Sequence, residues 1–145
     1  MECLFCKIVK EKEKLAAEKK ICLVGENEGT IAILDINPIS DGHTLIISKN
    51  HAENITKLRP DDWNSLFLNH KRDGPTFFQA VVNKLQETFN PQGFNFITNM
   101  GEEAYQSIFH FHLHIIPKYE KNQGFIWTSK PKLKYNLEEA SKKLK

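Results

Sequence analysis

Three patterns predict an α+β domain: an antiparallel sheet of about five strands with helices packed on one face. In QSIFHFHLHIIP, Gln106 to Pro117, three histidines alternate with bulky apolar residues. That is the period of a strand with one buried face. Two β-rich runs near the N-terminus flank the turn residues ENEG and predict a hairpin. Between Thr56 and Phe89 apolar residues recur at helical spacing.

Taken in order, Cys3 to Lys10, CLFCKIVK, predicts one or two turns of helix or a tight metal knuckle, with Phe5 and Ile8 on one side. EKEKLAAEKK predicts an exposed connection, helical only briefly. Strands follow at Lys20 to Gly25 and Thr30 to Leu34, and Cys22 is expected to be a small buried residue. Asp35 to Asp41, with Asn37-Pro38, is a loop. HTLIIS, His43 to Ser48, is a central strand by its β-branched content. Pro60-Asp61-Asp62 is a helix start, acidic in its first turn. Trp63, Leu66, Phe67 and His70 make one stripe, and Phe77, Phe78, Val81, Val82, Leu85 and Phe89 another. Gly74-Pro75 predicts a kink or two helices around Arg72 to Thr76. After the turn at Asn90 to Gly93 comes a strand, Phe94 to Thr98, then a loop to Tyr105 and the histidine strand. Residues 119–145 are a lysine-rich tail in which Phe125, Ile126 and Trp127 dock, with a short helix or disorder at the end.

The chain has 145 residues, 40% hydrophobic and 26% charged, with a net charge of +2: one domain, 1–145, with a core at about 3–118. This balance gives no argument for nucleic-acid or membrane binding. No apolar run approaches a membrane span, and the charged N-terminus is unlike a signal peptide, so the expected location is cytoplasmic.

A strand sets His110, His112 and His114 on one side and Phe109, Phe111, Leu113 and Ile115 on the other. A merely solvated face would be served by Lys, Thr or Glu. Same-face neighbours stand about 6.7 Å apart, so two imidazoles can share a metal but three cannot easily do so. A nucleophilic or acid–base site is the remaining reading, because imidazole titrates nearest neutrality. A neutral imidazole is a good nucleophile, and the phosphoramidate it forms is labile to water. Such a ring needs an acceptor on its other nitrogen, expected to be a backbone carbonyl near His110.

H-x-H-x-H with apolar spacers and two following aliphatic residues resembles the signature of the histidine triad (HIT) family. Gln106-Ser107 matches its lead-in, Pro117 its exit, and GHTLIISKNH a second family segment. The resemblance covers roughly residues 3 to 118 and implies a homodimer whose sheet is extended across the interface. It implies transfer or hydrolysis at the α-phosphate of a purine nucleotide or nucleotide conjugate through a nucleotidyl–histidine intermediate. Phosphoramidates, aminoacyl adenylates and dinucleoside polyphosphates are the substrate classes. The alternative is a zinc-stabilised nucleotide-binding or interaction protein with residual catalysis.

In this resemblance His112 is the nucleophile, His114 donates to a phosphate oxygen, and His43 orients the others. Ser107 and Gln106 donate to phosphate or leaving group, Asn99 contacts ribose or phosphate, and Asp35 accepts from the ribose hydroxyls. Phe5, Ile8, Leu34 and Ile36 sandwich the base. Ser48 stands where the family has proline, which loosens the strand exit, and Tyr105 where much of it has glycine, which narrows the entrance. With no arginine in the motif, Lys49 and Lys118 are the candidate phosphate cations.

Cys3-x-x-Cys6 by itself is a metal or redox element. In the branch of the family with this motif, the positions of His51 and His110 complete a closed, structural Zn2+ site that staples the N-terminal segment to the sheet.

Overall fold

The computed structural model describes residues 2–68 and 73–145. The sheet has five antiparallel strands: β1 (Leu23–Glu26), β2 (Thr30–Leu34), β3 (Thr44–Ser48), β4 (Gly93–Ile97) and β5 (His112–Lys118). Their order is β1-β2-β3-β5-β4. Helices α1 (Leu4–Ala17), α2 (Pro60–Phe67), α3 (Phe77–Phe89) and α4 (Leu137–Leu144) complete the α+β architecture.

The pleat sorts side chains onto two cores. On one face Ala32, Ile46, Phe111, Leu113 and Ile115 meet Leu66 of α2 and Val81 and Leu85 of α3. The expected packing of helices on one face is made by this pair. The other face carries Ile31, Ile33, Leu45 and Ile47, and Phe5 of α1 packs on it. Register sets His112 opposite Ile47 and His114 opposite Leu45, so the histidines share the face that α1 covers.

Helix α1 spans 14 residues with a kink at Glu11 (φ −107°, ψ 16°). Its first part ends where the expected one- or two-turn element does; helix then continues to Ala17, which corrects the expectation of an exposed connection there. Leu4, Phe5, Ile8, Val9, Leu15 and Ala16 form a stripe whose charged interruptions mask it in the sequence. The helix ends in a Schellman motif, with Lys19 N–H on the Ala16 carbonyl (3.0 Å) and Lys20 N–H on that of Leu15 (2.9 Å). Lys19 takes the left-handed position, φ 57°, where glycine is the usual signal. This cap occupies Lys20, so β1 starts three residues later than expected. Cys22 precedes the edge strand and is exposed, not buried.

Helix α2 starts at Pro60 as expected, but Thr56 belongs to a separate 3-10 turn, Ile55–Lys57. Leu68 is extended after α2 and Thr76 caps α3, so there are two helices. His70 and Arg72 lie outside the described residues. Asp62, almost fully buried, accepts from Arg59 N–H and from Asn50 Nδ2 at 3.0 Å, bracing the loop that carries His51. The histidine strand begins at His112, later than the alternation predicts. Phe111 N–H leaves the sheet to donate to the Ala52 carbonyl at 2.6 Å, and Phe109 is 39% exposed. Of the tail, α4 has no buried residue and Trp127 is 81% exposed; neither Trp127 nor Ile126 docks within the chain.

Candidate functional site

A cavity of about 850 Å³ opens between α1 and the histidine face. Phe5 and Ile8 of α1, Leu34, Asp35 and Ile36 at the end of β2, and His43, His112 and His114 line it. Asn99 and Ser107 close its other side. The structure thus gathers every expected nucleotide-site residue except Gln106.

Gln106 is 4% exposed and spent on the loop. Its Nε2 donates to the Glu53 carbonyl at 2.6 Å and to that of Ile108 at 3.3 Å, while its Oε1 accepts from Gly101 N–H at 2.9 Å. Both donors are used, so it has none to offer a phosphate. The two candidate cations are corrected as well. Lys118 donates to the carbonyls of Gln123 and Phe125, ordering the turn after β5, and Lys49 pairs with Glu26 at 3.3 Å. The lysines that do line the cavity are Lys7 and Lys20, which no motif in the sequence marks; Leu15 lines it as well, from the part of α1 expected to be an exposed connection. Phe125 is the one tail residue that reaches the cavity.

His112 Nδ1 lies 2.8 Å from the carbonyl of its neighbour-but-one, His110. A carbonyl only accepts, so Nδ1 carries the proton and Nε2 keeps its lone pair. Burial lowers the His112 pKa, and the hydrogen bond to His110 opposes that. The ring is packed by Phe5, centroid to centroid 5.0 Å.

A second chain of hydrogen bonds fixes His114. The Ile39 N–H donates to His43 Nδ1 at 3.3 Å, so neutral His43 carries its proton on Nε2. That proton points to His114 Nδ1, 2.9 Å away, which leaves His114 with N–H at Nε2. His114 is thereby a neutral donor. Its pKa is lowered to about 4, first by burial, then by His112 and His43, with Asp35 opposing. Burial also lowers His43, against the pull of the Asp35 carboxylate 3.5 Å from it. Asp35 itself is a turn former too, accepting from Asn37 N–H at 2.8 Å. Asn99 Nδ2 donates one of its two N–H groups to the Ala104 carbonyl, which leaves the second N–H and Oδ1 uncommitted, and Ser107 has no hydrogen-bond partner among the described residues.

Beside this site stands a second cluster. Cys3 Sγ is 3.4 Å from His110 Nδ1, Cys6 Sγ 3.4 Å from His51 Nδ1 and 3.5 Å from His110 Nδ1, and the two Nδ1 atoms are 3.2 Å apart. A zinc tetrahedron with bonds of about 2.3 Å to sulfur and 2.0–2.1 Å to nitrogen has edges of roughly 3.3–3.8 Å, so these atoms fit its corners. His110 Nε2 donates to the Ser48 carbonyl at 2.7 Å, which frees Nδ1 as a ligand and holds the ring. Burial, then the Cys3 thiol, push the Cys6 thiol up; a dication supplies the charge that adjacent thiolates lack. Ser48, expected to loosen the strand exit, secures it: its hydroxyl donates to the Asn50 carbonyl at 2.8 Å.

Asp35, His43 and His114 also bring three ligand atoms together. Their geometry is that of a relay. The His43–His114 nitrogens are closer than the His51–His110 pair, yet their ring centroids are farther apart, 5.2 Å against 5.0 Å. The first pair meets end to end, with room for a proton; the second meets at 88°, with both lone pairs turned toward a shared point.

The sequence model of the HIT domain family matches residues 16–121. The adenosine 5′-monophosphoramidase of Schizosaccharomyces pombe is 32% identical over 151 residues, covering 100% of both chains. Among solved structures, a HIT family protein from Bacillus anthracis superposes with a TM-score of 0.76 at 34% identity, covering 99% of this chain and 92% of that one. A zinc-bound histidine triad family protein from Mycobacterium smegmatis gives a TM-score of 0.61 at 28% identity, with 86% and 81% covered.

Proposed function

This chain belongs to the HIT domain family, and from that footing we propose that it is a nucleotide hydrolase or transferase working through a nucleotidyl–His112 intermediate. One observation carries the reading: His112 Nδ1 is tied to the His110 carbonyl, which leaves Nε2 with a lone pair beside the cavity. The Nε2 pair attacks the α-phosphorus. The bond from phosphorus to the leaving amine, carboxylate or phosphate breaks, and that group departs with the electron pair and takes a proton from water if it is an amine. Water then attacks and gives up one proton to solvent, where it balances the proton taken by a departing amine; the phosphorus–nitrogen bond to His112 breaks, Nε2 recovers its pair, and the nucleoside monophosphate leaves.

In this reading His114 donates its Nε2–H to a phosphate oxygen as charge builds up, and His43 holds it in that tautomer. Ser107 offers its hydroxyl to phosphate or leaving group, and Asn99 donates its second Nδ2–H to phosphate or accepts from a ribose hydroxyl on Oδ1. Asp35 takes the ribose, and Phe5, Ile8, Leu34 and Ile36 the base.

The cluster of Cys3, Cys6, His51 and His110 fits a structural Zn2+ site, as in the C-x-x-C branch of the family, and the zinc-bound relative supports it. With four protein ligands it has no open position and takes no part in the chemistry. Its thiols need a reducing compartment, which favours the cytoplasm, and among the described residues no helix is long and apolar enough to cross a membrane. We read residues 1–145 as one domain that pairs as a homodimer across the open edge of β4, where Phe96 is 46% exposed. Sedimentation of the metal-loaded protein tests the pairing; a monomer at micromolar concentration would overturn it.

The direct test is intact-protein mass spectrometry after quenching an adenosine phosphoramidate reaction without acid, with wild type beside His112→Ala. An adenylyl adduct on the wild type alone is expected. Absence of both adduct and turnover in the wild type would instead favour a zinc-stabilised binding protein.

A further inference from the structure

The cavity has two ends, and the sheet order says which is which. The ends of β2 and β4 lie on opposite sides of the β3–β5 pair that bears His43, His112 and His114. A nucleotide with its ribose at Asp35 and its α-phosphate at His112 therefore directs its leaving group toward the end of β4. There Asn99, Tyr105, Ser107 and Ile108 line the cavity. Tyr105 is 91% exposed and borders this mostly apolar cavity.

Its backbone sits at φ 65°, ψ 23°, a left-handed conformation that a bulky side chain adopts at a cost. The loop holds it there. Tyr105 N–H donates to the Glu102 carbonyl at 2.9 Å, Asn99 to the Ala104 carbonyl at 2.6 Å, and the buried Gln106 accepts from Gly101. A strained, braced residue with a large ring turned into water at a cavity mouth has the form of a docking face for a ligand. The four residues that the β4 end contributes, Asn99, Tyr105, Ser107 and Ile108, are all uncharged, so they suit an uncharged flat group better than a polyphosphate chain.

We infer that Tyr105 is a specificity-determining platform on which the aromatic part of an amine leaving group stacks; this rests on the α-phosphate reading of the cavity. The probes are the adenosine 5′-phosphoramidates of 2-phenylethylamine and of n-butylamine, compared by kcat/KM in wild type, Tyr105→Phe, Tyr105→Ala and Tyr105→Gly. The wild type is expected to prefer the aryl amide by roughly threefold to tenfold. Tyr105→Phe keeps that preference, and Tyr105→Ala and Tyr105→Gly bring the ratio near one. The glycine variant relieves the backbone, so loss of folding does not explain its result. An unchanged ratio in Tyr105→Ala, or an equal fall on both amides, overturns the platform and leaves the α-phosphate reading standing. No turnover of either amide by the wild type removes both.

Discussion

Two imidazole pairs in this small protein lie within one face of one sheet and do different things. His51 and His110 meet at 88° with Cys3 and Cys6 around the same point, and that convergence is the geometry of ligands. His43 and His114 meet end to end at 2.9 Å beneath a backbone N–H donor, and that alignment is the geometry of a proton-ordered chain. Residue type is the same in both. What separates them is what holds the far side of each ring: the Ser48 carbonyl directs His110 to present a lone pair, whereas the Ile39 N–H obliges His43 to present a proton. His110 belongs to both regions, since its side chain joins the thiols and its carbonyl orients His112. Phe5 joins them a second time, packing against His110 at 5.8 Å and His112 at 5.0 Å.

The largest effect expected from breaking one region alone is that of His112→Ala. Loss of the nucleophile should reduce turnover by about 10³-fold or more, with nucleotide binding and metal content kept. Breaking the other region should act on stability first. Removal of metal by a chelator, or Cys6→Ser, should lower the melting temperature by roughly 6–12 °C, the equivalent of about 3 kcal/mol for a chain of this size. Metal content measured alongside must fall with it. If kcat dropped at 20 °C as far as in His112→Ala while the fold persisted, the separation of the two regions would be wrong.

Much of this contrast was legible in the sequence. Alternation in HFHLHII assigned the face, and the family resemblance of the C-x-x-C segment pointed to His51 and His110 as the residues that meet the two thiols. What was not legible came from backbone partners that no motif marks, some near in sequence and some remote. Gln106 reads as a phosphate donor because its neighbours are site residues, yet the nearby Glu53 and Gly101 backbone groups claim it. Lys118 is claimed in the same way by carbonyls of the following turn. The length of α1 was hidden because Lys19 closes it at a position where glycine is the readable signal, and Leu15 of the cavity was hidden with it. Ile39 could not be found at all, since its contribution is a backbone N–H.

The relay makes a prediction in pH that can be separated from acid release of metal by the Cys–His cluster. His114, held at about 4 among His112, His43 and Asp35, lies below its unfolded value of about 6.5. Between those values the unfolded chain binds more protons, so the contribution is complete above about pH 6.5 and is lost as pH falls toward 4. Discounted for partial exposure it amounts to roughly 1–2 kcal/mol. Urea unfolding at pH 7 and pH 5 in excess zinc, wild type against His114→Asn, isolates it, because acid release of metal is common to both chains. A pH 7 to 5 loss equal in the two would remove His114 as its source.

The smallest expected effect concerns Asp35, which touches the relay only through its charge. At 3.5 Å from His43 Nε2, while the His43 proton is given to His114 at 2.9 Å, its carboxylate is a field rather than a link in the chain. That charge opposes the burial of His43, His112 and His114 alike. Asp35→Asn keeps the turn-forming acceptor for Asn37 and removes the charge, so the His114 titration followed by NMR should move to lower pH. KM for a ribonucleotide amide should rise several-fold with the loss of the ribose acceptor, roughly the 1 kcal/mol of one hydrogen bond, and kcat should change less. A fall in kcat as large as that of His112→Ala would make the carboxylate part of the reacting chain, and the order Ile39, His43, His114 would then have to be redrawn to start at Asp35.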